Sequence, residues 1–347
     1  MTEGAQGARE GVVGPSALPN VGLVLGAGGL VGLAYHAGVL RALEHVGGVV
    51  ANDASLIVGS SAGSVIAAYL RSGMSIDEFW LLVSGTHPSL LAGGRSGMQT
   101  RRDVWDPIFR GPFEFGRRVL GSSYVLTRSM VRIPTPRLPL LVERLFPAGM
   151  FSMQEGRRRL RSELSDEWPH RRLWLCTVDI SSGRRVVLSR ENADRVGARL
   201  SFPDAVVASC AIPGVYRPVR FGRMTLVDGG VFSTSNLDLA IEAECQHIIG
   251  IVPMAFDTRS RPDWVQQLVR RRPARALASE AAQVRRKGSS VLLFRPTRHE
   301  VRLHGLDLMR TEGLDVVAKA AYDSAARQLD TDRFVTALAA IHRPAAA

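Results

Sequence analysis

Three short clusters in this chain hold residue types that do chemistry together. They are a serine between glycines, Gly59-Ser60-Ser61-Ala62-Gly63, a glycine-rich run, Gly26-Ala27-Gly28-Gly29-Leu30-Val31-Gly32, and a carboxylate before paired glycines, Leu226-Val227-Asp228-Gly229-Gly230. The first is the G-x-S-x-G pattern of a nucleophile elbow, whose glycines let the chain turn sharply enough to present Ser61 at the end of a strand. The helix N-terminus that follows such a turn favours a developing oxyanion. Without a strand before it and a helix after it, the same pattern is only a tight turn with a capping serine.

A serine nucleophile needs a base. Asp228 can serve directly if its carboxylate comes within about 2.6 to 3.2 Å of the serine hydroxyl. Read alone, Asp-Gly-Gly is more often a turn. The other route is a histidine oriented by an acid, and His299 follows Asp228 in the Ser, Asp, His order of α/β-hydrolases. That fold sets several strands ahead of its elbow, whereas one convincing strand precedes Ser61 here. The glycine run can offer backbone N–H groups to an anion at a helix N-terminus. A dinucleotide pyrophosphate is disfavoured, because the last glycine falls one residue late for G-x-G-x-x-G and Asp53 lies before the second strand, not after it. The oxyanion of an acyl-transfer intermediate is the better match.

The elements that must position these clusters are legible as hydrophobic patterns. Val21 to Leu25 and Ser55 to Gly59 have the length and β-branched content of buried strands. Helical spacing runs from Val31 to Val46, and again from the elbow to a stop at Gly73. Ser75 with Glu78, and Ser152 with Glu155, match capping boxes. Leu173 to Ile180 and Arg184 to Ser189 predict a hairpin about Ser181-Ser182-Gly183. Further strands are expected at Met224 to Val227, His247 to Pro253 and Ser290 to Phe294. Helices are expected at Asn236 to Glu244, Pro273 to Lys287, Leu314 to Leu329 and Thr331 to Ile341. Strands alternating with helices imply an α/β fold with a mostly parallel central sheet covered on both faces. From His87 to Met150 periodicity is poor and arginines mix with Trp105, Phe109, Phe113, Phe115 and Tyr124. That stretch reads as a cap or lid, or as irregular core helices.

Composition narrows the class. The 347 residues, 46% of them hydrophobic, suffice for a large buried core. The formal charge of +12 is built almost wholly from arginine, only Lys287 and Lys319 being lysines. It suits an anionic membrane surface or a phosphate-bearing substrate better than nucleic acid, for which no aromatic and basic platform is evident. Cys176, Cys210 and Cys245 have neither metal-ligand spacing nor the even number of a disulfide framework. The first twenty residues read as a flexible tail without a secretory signal, and no run of 18 apolar residues occurs. The expectation is a cytoplasmic protein whose membrane contact, if any, is peripheral, with the oligomeric state open.

Together the segments LVLGAGGLVGLAYHAGVL, GSSAGS, ASCAIPGVYRPV (Ala208 to Val219) and VDGGV resemble the patatin-like phospholipase family, from about Val21 to Met254. The resemblance implies a three-layer α/β/α domain over about residues 21 to 342, with a cap at about 87 to 150. It implies hydrolysis of lipid acyl esters by a Ser–Asp dyad, with no metal or other cofactor. Carried over by position, Ser61 is the nucleophile, Asp228 the base, and Gly26, Gly28 and Gly29 the oxyanion donors. Two positions depart from the family pattern: Val31 stands where an arginine or lysine is usual, and Asn236-Leu237-Asp238 where Asn-x-Pro is common. A catalytically weak lipid-binding module of the same fold is the alternative that the Val31 departure leaves open.

Overall fold

The computed structural model describes residues 18–92, 101–130, 148–193, 200–256 and 263–341. Its centre is an eight-stranded sheet: β1 (Leu18–Leu25), β2 (Ala54–Gly59), β3 (Leu173–Asp179), β4 (Arg184–Leu188), β5 (Val219–Phe221), β6 (Met224–Asp228), β7 (His247–Ile251) and β8 (Ser290–Phe294). The order is β5-β6-β3-β2-β1-β7-β8, with β4 also on β3. β3, β2, β1, β7 and β8 are mutually parallel, while β4, β5 and β6 run antiparallel to their neighbours. This is the mostly parallel α/β sheet that the apolar strand runs imply, since strands buried on both faces need not alternate.

The helices are α1 (Gly29–His45), α2 (Ala62–Arg71), α3 (Ile76–Ser84), α4 (Pro88–Ala92), α5 (Arg101–Val104), α6 (Pro112–Met130) and α7 (Gln154–Glu163). They continue with α8 (Phe202–Ser209), α9 (Asp238–Glu242), α10 (Trp264–Arg286), α11 (Arg298–His304), α12 (Leu314–Leu329) and α13 (Asp332–Ile341). One apolar cluster joins α1, α2, α3, α8 and α12 to one face of the sheet. A second, around Val24, Leu56, Ile248 and Leu277, joins α9 and α10 to the other. α1 is buried along most of its length because α12 lies directly on it. At Gly38 a Cβ would stand 2.2 Å from Ala318 O, so only glycine permits that approach.

Several expectations shift. Leu18 to Asn20, read as tail, begin β1, while residues 1–17 lie outside the described part. The Ser75 and Glu78 box is present with both its bonds. Ser152 is not a cap for α7; its hydroxyl accepts from Gln154 N at 3.1 Å, and Met153 precedes the helix. α10 begins nine residues before Pro273 and carries that proline in its interior, the buried side chains around Leu277 and Val284 outweighing the one lost hydrogen bond. Of the cap stretch, 93–100 and 131–147 lie outside the described residues. The described part forms α4, α5 and α6 and is tied to the domain through Tyr216 Oη to Val104 O at 3.1 Å and Met150 N to Val215 O at 2.8 Å.

Replacing Gly38 by valine forces α1 and α12 apart, and a loss of about 2 to 4 kcal/mol is expected. Urea unfolding should show a lowered midpoint at unchanged slope; an unmoved midpoint would mean the two helices yield freely.

Candidate active site

β1 and β2 end side by side, Leu25 opposite Gly59, so the glycine loop and the elbow leave the same edge of the sheet. Ser60 N donates to Leu25 O at 3.0 Å across that junction. The next residue, Ser61, sits at φ 53° and ψ −119°, a region that L residues rarely adopt. The conformation is held from several sides. Ser64 N and Ser64 Oγ both donate to Ser61 O, at 2.8 and 2.6 Å. Ser61 N donates to Ser209 Oγ at 3.1 Å, whose own hydroxyl donates to Cys176 O at 2.7 Å. Strain of this kind persists only where the surroundings over-determine it.

Asp228 reaches the elbow because of how β3 is shared. β4 occupies one edge of β3, from Asp179 to Leu175. The opposite edge carries first the end of β2, Gly59 opposite Leu175, and then the end of β6, Asp228 opposite Thr177. Two strands running toward each other on one edge thus bring residues 59 and 228 to neighbouring positions. Asp228 N donates to Ala211 O at 3.0 Å, so the turn after α8 holds this strand end. Asp228 Oδ1 accepts from Gly230 N at 2.7 Å, and the Ser61 hydroxyl is close enough to act on the carboxylate as a hydrogen-bond donor. Burial raises the Asp228 pKa to about 6, against the opposing pull of the Ser61 and Gly230 hydrogen bonds.

The glycine loop divides into two parts. Gly26 N donates to Ile251 O at 3.0 Å and is committed to the sheet, so it is not available to an oxyanion. The N–H groups of Gly28 and Gly29 have no acceptor among the described residues. Gly29 lies at φ 63°, and a Cβ there would meet Leu308 O at 2.5 Å. His36, buried on α1, holds the loop from behind: its Nε2 lies 2.8 Å from Gly26 O, so it carries the proton that this carbonyl accepts, and burial lowers its pKa to about 4. Pro253 packs on Gly28 and Gly32, and its carbonyl accepts from the buried Arg270 at 2.6 Å.

Four contributors escape the sequence reading. Ala62, first in α2, has an N–H without an acceptor among the described residues, and its place directly after Ser61 was the available signal. Ser209 and His36 act only through contacts distant in sequence. Asn236, at φ 55°, donates to Ser60 Oγ at 2.8 Å, while Arg185 clamps Asp238 through two bonds of 2.8 and 2.7 Å. The Asn-Leu-Asp departure therefore supports the elbow with an ion pair. Val31 is wholly buried, its N–H donating to Leu308 O, and its side chain belongs to the core. His299 is exposed on α11 and does not line the Ser61 cavity.

That cavity, of about 100 Å³, is narrow and mostly apolar. Ser61, Val65, Leu160, Ile212 and Met309 line it, with Arg159 and Asp103 as its charged members. Asp103 and Val104, from the predicted cap, line it directly.

A strained serine after a central strand, beside a buried carboxylate and unpaired loop amides, on a three-layer α/β/α sheet, defines the class of the hydrolases with a nucleophile elbow. The sequence profile of the patatin-like phospholipases matches residues 23–241. The chain belongs to that family, which places it among the lipid hydrolases. No curated protein matches it. Among solved structures it is similar to VipD from Legionella pneumophila, at 17% identity and a TM-score of 0.43 over 90% of this chain and 67% of that one. It is similar also to the type III effector ExoU, at 17% identity and a TM-score of 0.34 over 94% of this chain and 54% of that one. For ExoU in its complex with SpcU, from Pseudomonas aeruginosa, the values are 21% and 0.30 over 91% and 61%. The chain thus spans about half to two thirds of these longer proteins.

Because the folded state raises the Asp228 pKa, its stabilising contribution is complete below the unfolded value near 3.8 and lost as pH rises through about 6. Above that pH the fold bears a buried carboxylate. Asp228→Asn should therefore stabilise the protein by about 1 to 3 kcal/mol at pH 8 and not at pH 4. Urea unfolding at both pH values checks this, and an equal effect at both would remove Asp228 as the cause.

Proposed function

We propose that this chain hydrolyses fatty acyl esters of phospholipid, lysophospholipid or a related lipid through an acyl-Ser61 intermediate, with Asp228 as the base. The observation that carries the reading is the Ser61 hydroxyl, on a strained backbone, against a buried carboxylate whose pKa is raised to about 6. A base is most effective when its pKa approaches the working pH, and burial moves Asp228 in that direction. Asp228 takes the Ser61 proton as Oγ attacks the acyl carbonyl. The negative charge that gathers on the carbonyl oxygen is met by the free N–H groups of Gly28 and Gly29, with Ala62 N at the start of α2 as a third. The proton then passes from Asp228 to the departing alkoxide, the C–O bond breaks, and the acyl group stays on Ser61. Water attacks that ester by the same route in reverse.

The apolar cavity walls suit an acyl chain, and the 87 to 150 stretch acts as the cap that offers them to a lipid surface. On α6 the outward side bears Phe113, 80% exposed, and Leu120, 61% exposed, one above the other, while the less exposed Phe115, Val119 and Leu126 lie further round the helix. Arg117 stands among them, its guanidinium 5.9 Å from the Phe113 ring centre. An apolar face edged by arginine fits a peripheral contact with an anionic bilayer. Among the described residues no helix is long and apolar enough to cross one.

Release of p-nitrophenol from short- and medium-chain esters, without added metal, should fall by about 10³-fold or more in Ser61→Ala and Asp228→Asn, with folding intact. In the wild type kcat/KM should decline as pH drops through about 6, where Asp228 takes up its proton. A fully active Asp228→Asn would end the dyad reading, and a wild type inert on these esters and on phospholipid vesicles would favour the lipid-binding module. Phe113→Ser with Leu120→Ser should lower hydrolysis of vesicle phospholipid about tenfold while sparing the soluble ester; equal losses on both would deny the membrane role.

A further inference from the structure

A second cavity, of about 590 Å³, lies along β8, the last strand of the sheet, and shares no residue with the Ser61 cavity. Four arginines from separate parts of the fold converge on it: Arg285 from the last turn of α10, Arg295 just past β8, Arg327 from the last turn of α12 and Arg333 from the first turn of α13. None of its lining residues is acidic. Asp330 and Asp332, which flank Thr331 in the sequence, are not among them.

Elsewhere on this surface arginines are matched with carboxylates. Arg157 and Arg161 share Asp204, and Arg298 and Arg302 share Asp263. In the cleft, Arg285, Arg327 and Arg333 hydrogen-bond no carboxylate among the described residues. A buried acid, Glu300, acts on Arg327 through its charge. Its Oε2 is already occupied by Thr297 N and Thr297 Oγ1, at 2.7 and 2.6 Å, and burial raises its pKa.

Like charges gathered round one hollow repel each other until an anion enters. Guanidinium groups pair with phosphate oxygens in two parallel hydrogen bonds, and several converging on one space select a group with more than one phosphate. The Thr297 and Thr331 hydroxyls that also line it already donate to Glu300 Oε2 and Gln328 O, so the arginines are the donors that face the space, and its volume lies within the usual range for ligand sites. We propose that this cleft is a binding site for a multiply phosphorylated anion, separate from the acyl site. Two sources share that chemistry: a soluble polyphosphate and the head group of a polyphosphorylated lipid.

The test is calorimetric titration of the full chain with inorganic tripolyphosphate at moderate salt. Arg285, Arg327 and Arg333 are exposed, so replacing them leaves the core intact. Arg327→Gln with Arg333→Gln should weaken a one-to-one complex by about tenfold or more. The control, Arg158→Gln with Lys319→Gln, removes the same charge from exposed sites outside the cleft and should change binding less than twofold. Equal weakening in both pairs, or no saturable binding, would overturn the proposal. A second arm measures sedimentation with phosphatidylcholine vesicles carrying phosphatidylinositol bisphosphate, or phosphatidylserine at matched charge. Cleft-dependent binding to the bisphosphate vesicles alone assigns the lipid head group. Cleft-dependent binding of tripolyphosphate without vesicle binding assigns the soluble anion. Because neither readout uses hydrolysis, an inactive Ser61→Ala chain serves equally well, and failure here leaves the acyl hydrolase reading untouched.

Discussion

A backbone approach with no room for a side chain underlies the whole site. Where α2 begins, a Cβ on Gly63 would lie 2.0 Å from Leu25 O, and one on Gly59 would lie 2.7 Å from the Ser64 Cα. The end of β1 and the turn out of β2 therefore touch through main chain alone. That contact pins Ser60 N to Leu25 O, forces the chain through positive φ at Ser61, and leaves the glycine loop beside the elbow. Any larger residue at these two glycines separates the nucleophile from the amides that would face its oxyanion.

The surrounding polar groups extend this constraint outward. His36 holds Gly26, Arg270 holds Pro253 against Gly28 and Gly32, and Asn236 holds Ser60. The loop that supplies Asn236 is itself anchored on buried Glu280, which accepts from the Ser233 and Ser235 hydroxyls and from Leu237 N. Buried polar groups are tolerable only when paired, and these pairs join the elbow and the glycine loop to different parts of the core. Asp228 stands apart. Its carboxylate keeps a raised pKa because two hydrogen bonds do not offset its burial, and the reactivity proposed for the site draws on that shortfall.

Much of the fold was legible because local signals agreed with one another. The buried strands, the capping box at Ser75 and the hairpin at Ser181 to Gly183 each depend on residues close in sequence. Expectations weakened where distant contacts took over. Pro273 reads as a helix start, yet the packing of α10 against the second apolar cluster carries the helix through it. Gly26 and Gly28 look equivalent as letters, but strand β7 claims the amide of the first and leaves the second free. The +12 charge had no local explanation in the sequence. In the structure arginines such as Arg157 and Arg185 pair with Asp204 and Asp238, while part of the basic excess gathers along β8.

The sequence by itself determined that a serine would sit on a sharp turn between a strand and a helix, that an aspartate would end another strand, and that a glycine loop would open α1. Those are consequences of glycine's freedom from a Cβ and of apolar periodicity, both properties of neighbouring residues. Only the tertiary structure decided that Ser61 and Asp228 would meet. β2 and β6 occupy successive stretches of one edge of β3 from opposite directions, and strand pairing of that kind joins residues far apart in the chain. It also decided the environment of the carboxylate, because the burial that raises the Asp228 pKa is contributed by the packed elements around it and not by its own neighbours.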